Sequence, residues 1–161
     1  MNRYLLLATP LALAVSAPAM AQVMTPREYV AAAGASDLFE RQSSAVVLET
    51  TTDPKVREFA MMMQTAHSQS TADVKAAAKA SKLKPAAPML TPLQTEMIAQ
   101  LKAETGTARD AAYLAQQKAA HGKALSVQQA YAQAGTAPAL KAAAGKIVPV
   151  VRHHIGMLMQ M

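Results

Sequence analysis

The stretch DPKVREFAMMMQTAHSQSTADVKAAAKASK, residues 53–82, decides the fold. Asp53-Pro54 is a helix start, an N-cap acid followed by proline at the first helical position. At about 100° per residue, Val56, Ala60, Met63, Val74 and Ala78 fall on one stripe with His67 among them. A run of this length with one apolar face needs partner helices to cover it.

Working outward, the punctuation repeats. Thr25-Pro26-Arg27-Glu28 is a capping box with an N1 proline; Gly34 weakens this first helix, and Ser36-Asp37 can restart it toward about Thr51. Leu83 to Pro92, with Pro85, Pro88 and Pro92, reads as loop. Thr91-Pro92-Leu93-Gln94 opens a short helix ending near Gly106, and Thr107-Ala108-Arg109-Asp110 offers a variant cap for a long helix to Gly135. Thr136 and Pro138 begin the last helix, which Pro149 is expected to kink. No window alternates β-branched residues. The fold class is all-α. Four long helices with tight first and last connections, and a long crossover carrying a short extra helix, read as a ferritin-like four-helix bundle.

Residues 1–21 read as a cleavable signal peptide: Met1-Asn2-Arg3, then an apolar stretch from Tyr4 to Val15 interrupted by Pro10, then Ala19-Met20-Ala21 as the cleavage site. Residues 22–161 form the expected domain, large enough for a core of its own. The chain has no cysteine, which excludes disulfides, thiolate catalysis and a lipidated cysteine anchor. An exported, periplasmic protein is expected, with no transmembrane helix after processing.

Charge is uneven. Residues 22–60 carry six acids and four bases, whereas residues 61–161 carry four acids and eleven bases. Lys75, Lys79 and Lys82 are spaced as a ridge on one helix face. With no aromatics interleaved, nucleic acid is not the expected partner. A solvated face is the simpler reading, with contact to an anionic membrane surface as the other.

His67, His121 and His154 each lie on the apolar stripe of a different long helix, whereas His153 points away from its stripe. At about 1.5 Å per residue, His67, His121 and Glu40 each lie about 20 Å from their turns, and His154 about one helical turn deeper. Two readings follow. The first is a polar patch of neutral, hydrogen-bonded core histidines. The second is a mononuclear site for zinc, copper or iron, with Glu40 as oxygen ligand beside the three imidazoles.

Other chemistry is poorly supplied. A di-iron carboxylate centre needs an acid three residues before each histidine, and those positions hold Gln64, Lys118 and Val151. Thioether copper ligation could use Met63 with His67, or the row His153, Met157 and Met161. Met61, Met62 and Met63 cannot share one helix face, however, and methionine is a common core filler. No nucleophile elbow or phosphate-cradling glycine loop is present.

Taken in order, Glu40, then Val56-Arg57-Glu58-Phe59-Ala60 with Met63 and His67, then His121, then Pro149 and His154 resemble the exported, ferritin-like family called domain of unknown function 4142. The likeness spans nearly all of residues 25–160 and includes Tyr131-Ala132-Gln133-Ala134-Gly135. It implies a ferritin-like bundle and export, and no particular activity. The family's acid before each helical histidine is Ala66 and Ala120 here, which would impoverish any site that used those acids to orient ligands. The expected role is non-enzymatic, in binding or envelope stress, with the His/Glu metal site as the alternative.

Overall fold

The computed structural model describes residues 24–161, so the expected signal peptide lies outside the described residues. Five helices follow in order: α1 Pro26–Leu48, α2 Pro54–Ala80, α3 Pro92–Ala103, α4 Gly106–Ala134 and α5 Pro138–Leu158. The starts are written in the sequence. Pro26, Pro54, Pro92 and Pro138 each occupy a first-turn position, where a missing N–H costs nothing. Thr25 and Thr91 close reciprocal capping boxes with Glu28 and Gln94, and Asp53 caps Lys55 and Val56.

Helix α1 packs on α2, α4 packs on α5, and the two pairs meet through α1 with α4 and α2 with α5. Two apolar clusters give the directions. At one end Tyr29, Val74, Tyr131 and Leu140 pack together, and at the other Val47, Phe59, Tyr113 and Leu158. Hence α1 and α5 run one way and α2 and α4 the other. The crossover, with α3 laid against α1 and α4, carries the chain back along the bundle. The fold is a four-helix core in ferritin-like arrangement.

Three expectations change. Helix α1 runs unbroken through Gly34, Ser36 and Asp37. The absent side chain of Gly34 is used elsewhere: a Cβ there would stand 3.3 Å from Cγ of Pro88, so glycine lets the crossover loop lie close on α1. Helix α2 ends at Ala80, and Lys82 takes a left-handed backbone with φ of 57°, so Lys82 leaves the helical ridge of Lys75 and Lys79. Helix α4 begins at Gly106, and Thr107 caps nothing. Asp110 accepts instead from Thr51, while Arg109 donates to the backbone carbonyls of Glu104 and Val46 and to Glu49. Pro149 lies inside α5, as the sequence indicates, and cannot donate to the carbonyl of Gly145. Among the described residues, no helix is long and apolar enough to cross a membrane.

Candidate metal centre

Neither apolar cluster fills the middle of the bundle. Between them lies a buried polar layer: Asp37, Glu40 and Ser43 from α1, His67 from α2, Gln117 and His121 from α4, and His154 from α5. The stripes put these residues there. Each polar side chain takes a core position within an otherwise apolar helix face, so each must find its partner inside the protein.

The three imidazoles converge. Each can offer one ring nitrogen such that all three nitrogens lie within 4.8 Å of one another. Ring centroids are 5.8 Å apart for His67–His121, 5.8 Å for His67–His154 and 5.4 Å for His121–His154. His154 therefore joins the cluster despite its greater depth in α5, and His153 is exposed as its helical phase requires.

Outer hydrogen bonds set the tautomers. Nδ1 of His67 donates to Oδ1 of Asp37 at 2.9 Å, and the other oxygen of Asp37 accepts from the hydroxyl of Thr71 at 3.1 Å. Nδ1 of His121 donates to the backbone carbonyl of Gln117 at 3.0 Å. With Nδ1 of each ring committed as a donor, the neutral ring of His121 carries a lone pair on its inward-facing Nε2, and His67 offers the same lone pair in its neutral form. Nε2 of His121 stands 3.3 Å from Nδ1 of His154, and Nε2 of His67 is buried with no partner. An imidazole pinned through its outer nitrogen, with the inner one bare, is the usual disposition of a metal-ligating histidine.

Electrostatics favour the ligating forms of His121 and His154. Burial, reinforced by the neighbouring His67, pushes His121 down to about 4. Burial, with His121, His67 and His153 adding repulsion, pushes His154 down to about 3. Both rings are thus neutral near pH 7. Burial lifts Glu40 to about 7, against the opposing pull of His67 and the Gln117 amide. Oε1 of Glu40 lies 3.7 Å from Nδ1 of His121, beyond hydrogen-bond reach, and Oε2 has no partner. Glu40 stands behind His121, outside the mutually close set of three nitrogens.

Asp37 is the residue that sequence reasoning missed. It was readable only as a helix restart, yet it is 3% exposed and orients His67. The clue was its position one turn before Glu40, on the same face of α1. The acids absent at Ala66 and Ala120 are offset in part, because the orienting carboxylate comes from a different helix. The methionines do not join the layer in any comparable way. Met63 is buried in the apolar cluster at the α1–α2 turn, Met61 is 58% exposed, and Met157 and Met161 pack against that same cluster.

A cavity of about 170 Å³ adjoins the rings, bordered by Asp37, His67, Ser70, Gln128, Val151 and His154. It provides a path by which an ion or water could reach the layer from solvent.

The profile of a domain of unknown function, DUF4142, matches residues 10–161. The chain belongs to the DUF4142 family. The family-like residues scattered along the chain, Glu40, His67, His121 and His154, are the ones this DUF4142 bundle gathers into one layer. A crystal structure of a DUF305 protein from Streptomyces coelicolor is similar, with a TM-score of 0.69 and 15% identity, covering 83% of this chain and 88% of that one. At that identity the likeness concerns the fold. No curated protein sequence matches the chain.

Proposed function

We propose that this protein is an exported, non-enzymatic metal-binding bundle that holds one divalent transition-metal ion on His67, His121 and His154. The observation that carries the reading is the bare, buried Nε2 of His67, close to two neutral imidazoles. Two ligands about 2.05 Å from a tetrahedral ion stand roughly 3.3 Å apart. The 3.3 Å between His121 and His154 nitrogens fits that spacing and is long for a hydrogen bond.

Three imidazoles with no thiolate suit zinc, copper(II) or iron. Zinc fits best, as an ion at home with three histidines and an open fourth position. Asp37 would orient His67, and together with Glu40 it would supply the negative charge that a buried dication needs. Export is supported by the basic start, apolar stretch and Ala19-Met20-Ala21 site, and the similar Streptomyces protein is named as a secreted one. Lys75 and Lys79 remain the surface through which such a protein would meet an anionic membrane.

The test is metal content and melting of untagged protein, exported and processed by its host from the full-length chain. Stoichiometric metal is expected, with zinc at about hundredfold its Kd raising Tm by about 5–10 °C. His67→Ala and His121→Ala should each abolish binding, while His153→Ala should leave it intact. No bound metal and no shift in Tm at saturation would refute the site.

A further inference from the structure

A second cavity is lined by none of the three imidazoles. It is a cleft of about 360 Å³ formed by α1, α2 and the crossover loop that follows α2. Its walls are Val30 of α1, Val74 of α2, and Leu83, Pro85 and Pro88 of the loop, held close by the contact between Pro88 and Gly34. The volume falls at the small end of the ~300–1,000 Å³ typical of small-molecule sites.

Three cations border this apolar space: Arg27 from α1, Lys75 from α2 and Lys84 from the loop. The ion pairs among the described residues involve none of them. The one acid in the lining, Asp37, is buried, one oxygen accepting from His67 and the other sharing the Thr71 hydroxyl with the backbone carbonyl of His67. The cleft therefore combines an apolar interior with a border whose three cations outnumber its single acid, Asp37.

We infer that this cleft binds a single-chain amphipathic carboxylate, with the tail among Val30, Val74 and Leu83 and the head at Arg27, Lys75 and Lys84. Charge complementarity selects an anion. Enclosure by the loop selects a free molecule over a bilayer surface, because a concave site buries a tail that a flat lipid face would not insert. The inference goes beyond the metal reading and does not depend on it.

The probe is decanoate, kept below its micelle concentration and titrated into the processed, metal-free protein, with methyl and amide NMR shifts as readout. Saturable shifts are expected at Val30, Val74 and Leu83. Decanol, with the same tail and no charge, should bind about tenfold more weakly or worse. Changing Lys75→Gln and Lys84→Gln together should weaken decanoate by about the same factor, with the thermal melt unchanged. Raising the salt concentration should weaken wild-type binding. Phosphatidylglycerol vesicles should leave the cleft methyls unshifted. Absence of saturable decanoate shifts at these methyls would overturn the inference, as would decanol binding equally well. Vesicles shifting the same methyls in place of decanoate would overturn it in favour of a membrane contact.

Discussion

Nε2 of His121 and Nδ1 of His154 stand 3.3 Å apart across the interface between α4 and α5. The pair has two ways to satisfy itself. A proton on His154 can bridge to the lone pair of His121, or a cation can take both lone pairs along with that of His67. Only the second arrangement leaves no buried nitrogen of His67 bare.

Asp37→Asn keeps the shape of the side chain and an acceptor for Nδ1 of His67 but removes the charge. Zinc affinity is expected to fall about 10–100-fold, the usual effect of losing an outer carboxylate partner. Competition titration with a chromophoric chelator measures it. Unchanged affinity would mean that Asp37 serves packing alone.

The metal-free protein should lose stability in acid, and the signs can be assigned group by group. His121 and His154 have folded values of about 4 and about 3, below the ordinary 6.5. The unfolded chain therefore takes up protons first, and their contribution, full above pH 6.5, is lost as pH falls through those values. Glu40 acts oppositely. Its folded value of about 7 exceeds the ordinary 4.5, so its contribution is full below pH 4.5 and is lost as pH rises through 7. Tm should decline from pH 6.5 toward 4, most steeply below 4.5 where Glu40 no longer compensates. A flat Tm across that interval would contradict the buried, neutral state of the two rings.

Glu40→Gln isolates the second half of that balance. At pH 8 the metal-free variant should melt above the wild type, because a buried carboxylate has been replaced by a neutral isostere. At pH 4 the order should narrow or reverse. With zinc bound the variant should lose affinity, since one of the two nearby negative charges is gone. Circular dichroism melts with and without metal, at both pH values, separate these effects.

Gly135→Ala tests the turn between α4 and α5. A Cβ there would stand 2.5 Å from the backbone oxygen of Tyr131 and 2.6 Å from its ring, which is stacked on Tyr29 with centroids 3.9 Å apart. Relief requires moving backbone or the stacked ring, at about 1–3 kcal/mol, or a fall in Tm of about 3–10 °C. Metal affinity should be unaffected, because the turn is remote from the central layer.

Much of this molecule was legible in one dimension. Pro26, Pro54, Pro92 and Pro138 announce helix starts because proline's fixed φ and missing N–H suit only that end. His67 and His121 were placed by phase and rise, since both quantities are nearly constant along a helix. His154 was harder. Counting from the turn assumes flush helix ends, and α5 brings the residue to the cluster although the count put it a turn deeper. Asp37 and Arg109 escaped for another reason. Short patterns such as Ser-Asp or Thr-Ala-Arg-Asp score as caps, while their actual partners, His67 for Asp37 and the carbonyl of Val46 for Arg109, lie on other helices. Gly34 likewise read as a weakness because Pro88, which needs it, lies far along the chain.

The crossover places His67 before the long connection and His121 and His154 after it, on three separate helices. An ion shared by them would work as a removable cross-link. It would tie distant parts of the chain together and cut the conformational freedom of the unfolded state, as a disulfide does, in a sequence that contains no cysteine. Chelation would then play the part that reduction plays for disulfide-bonded exported proteins. The durability of this bundle would then follow the supply of metal.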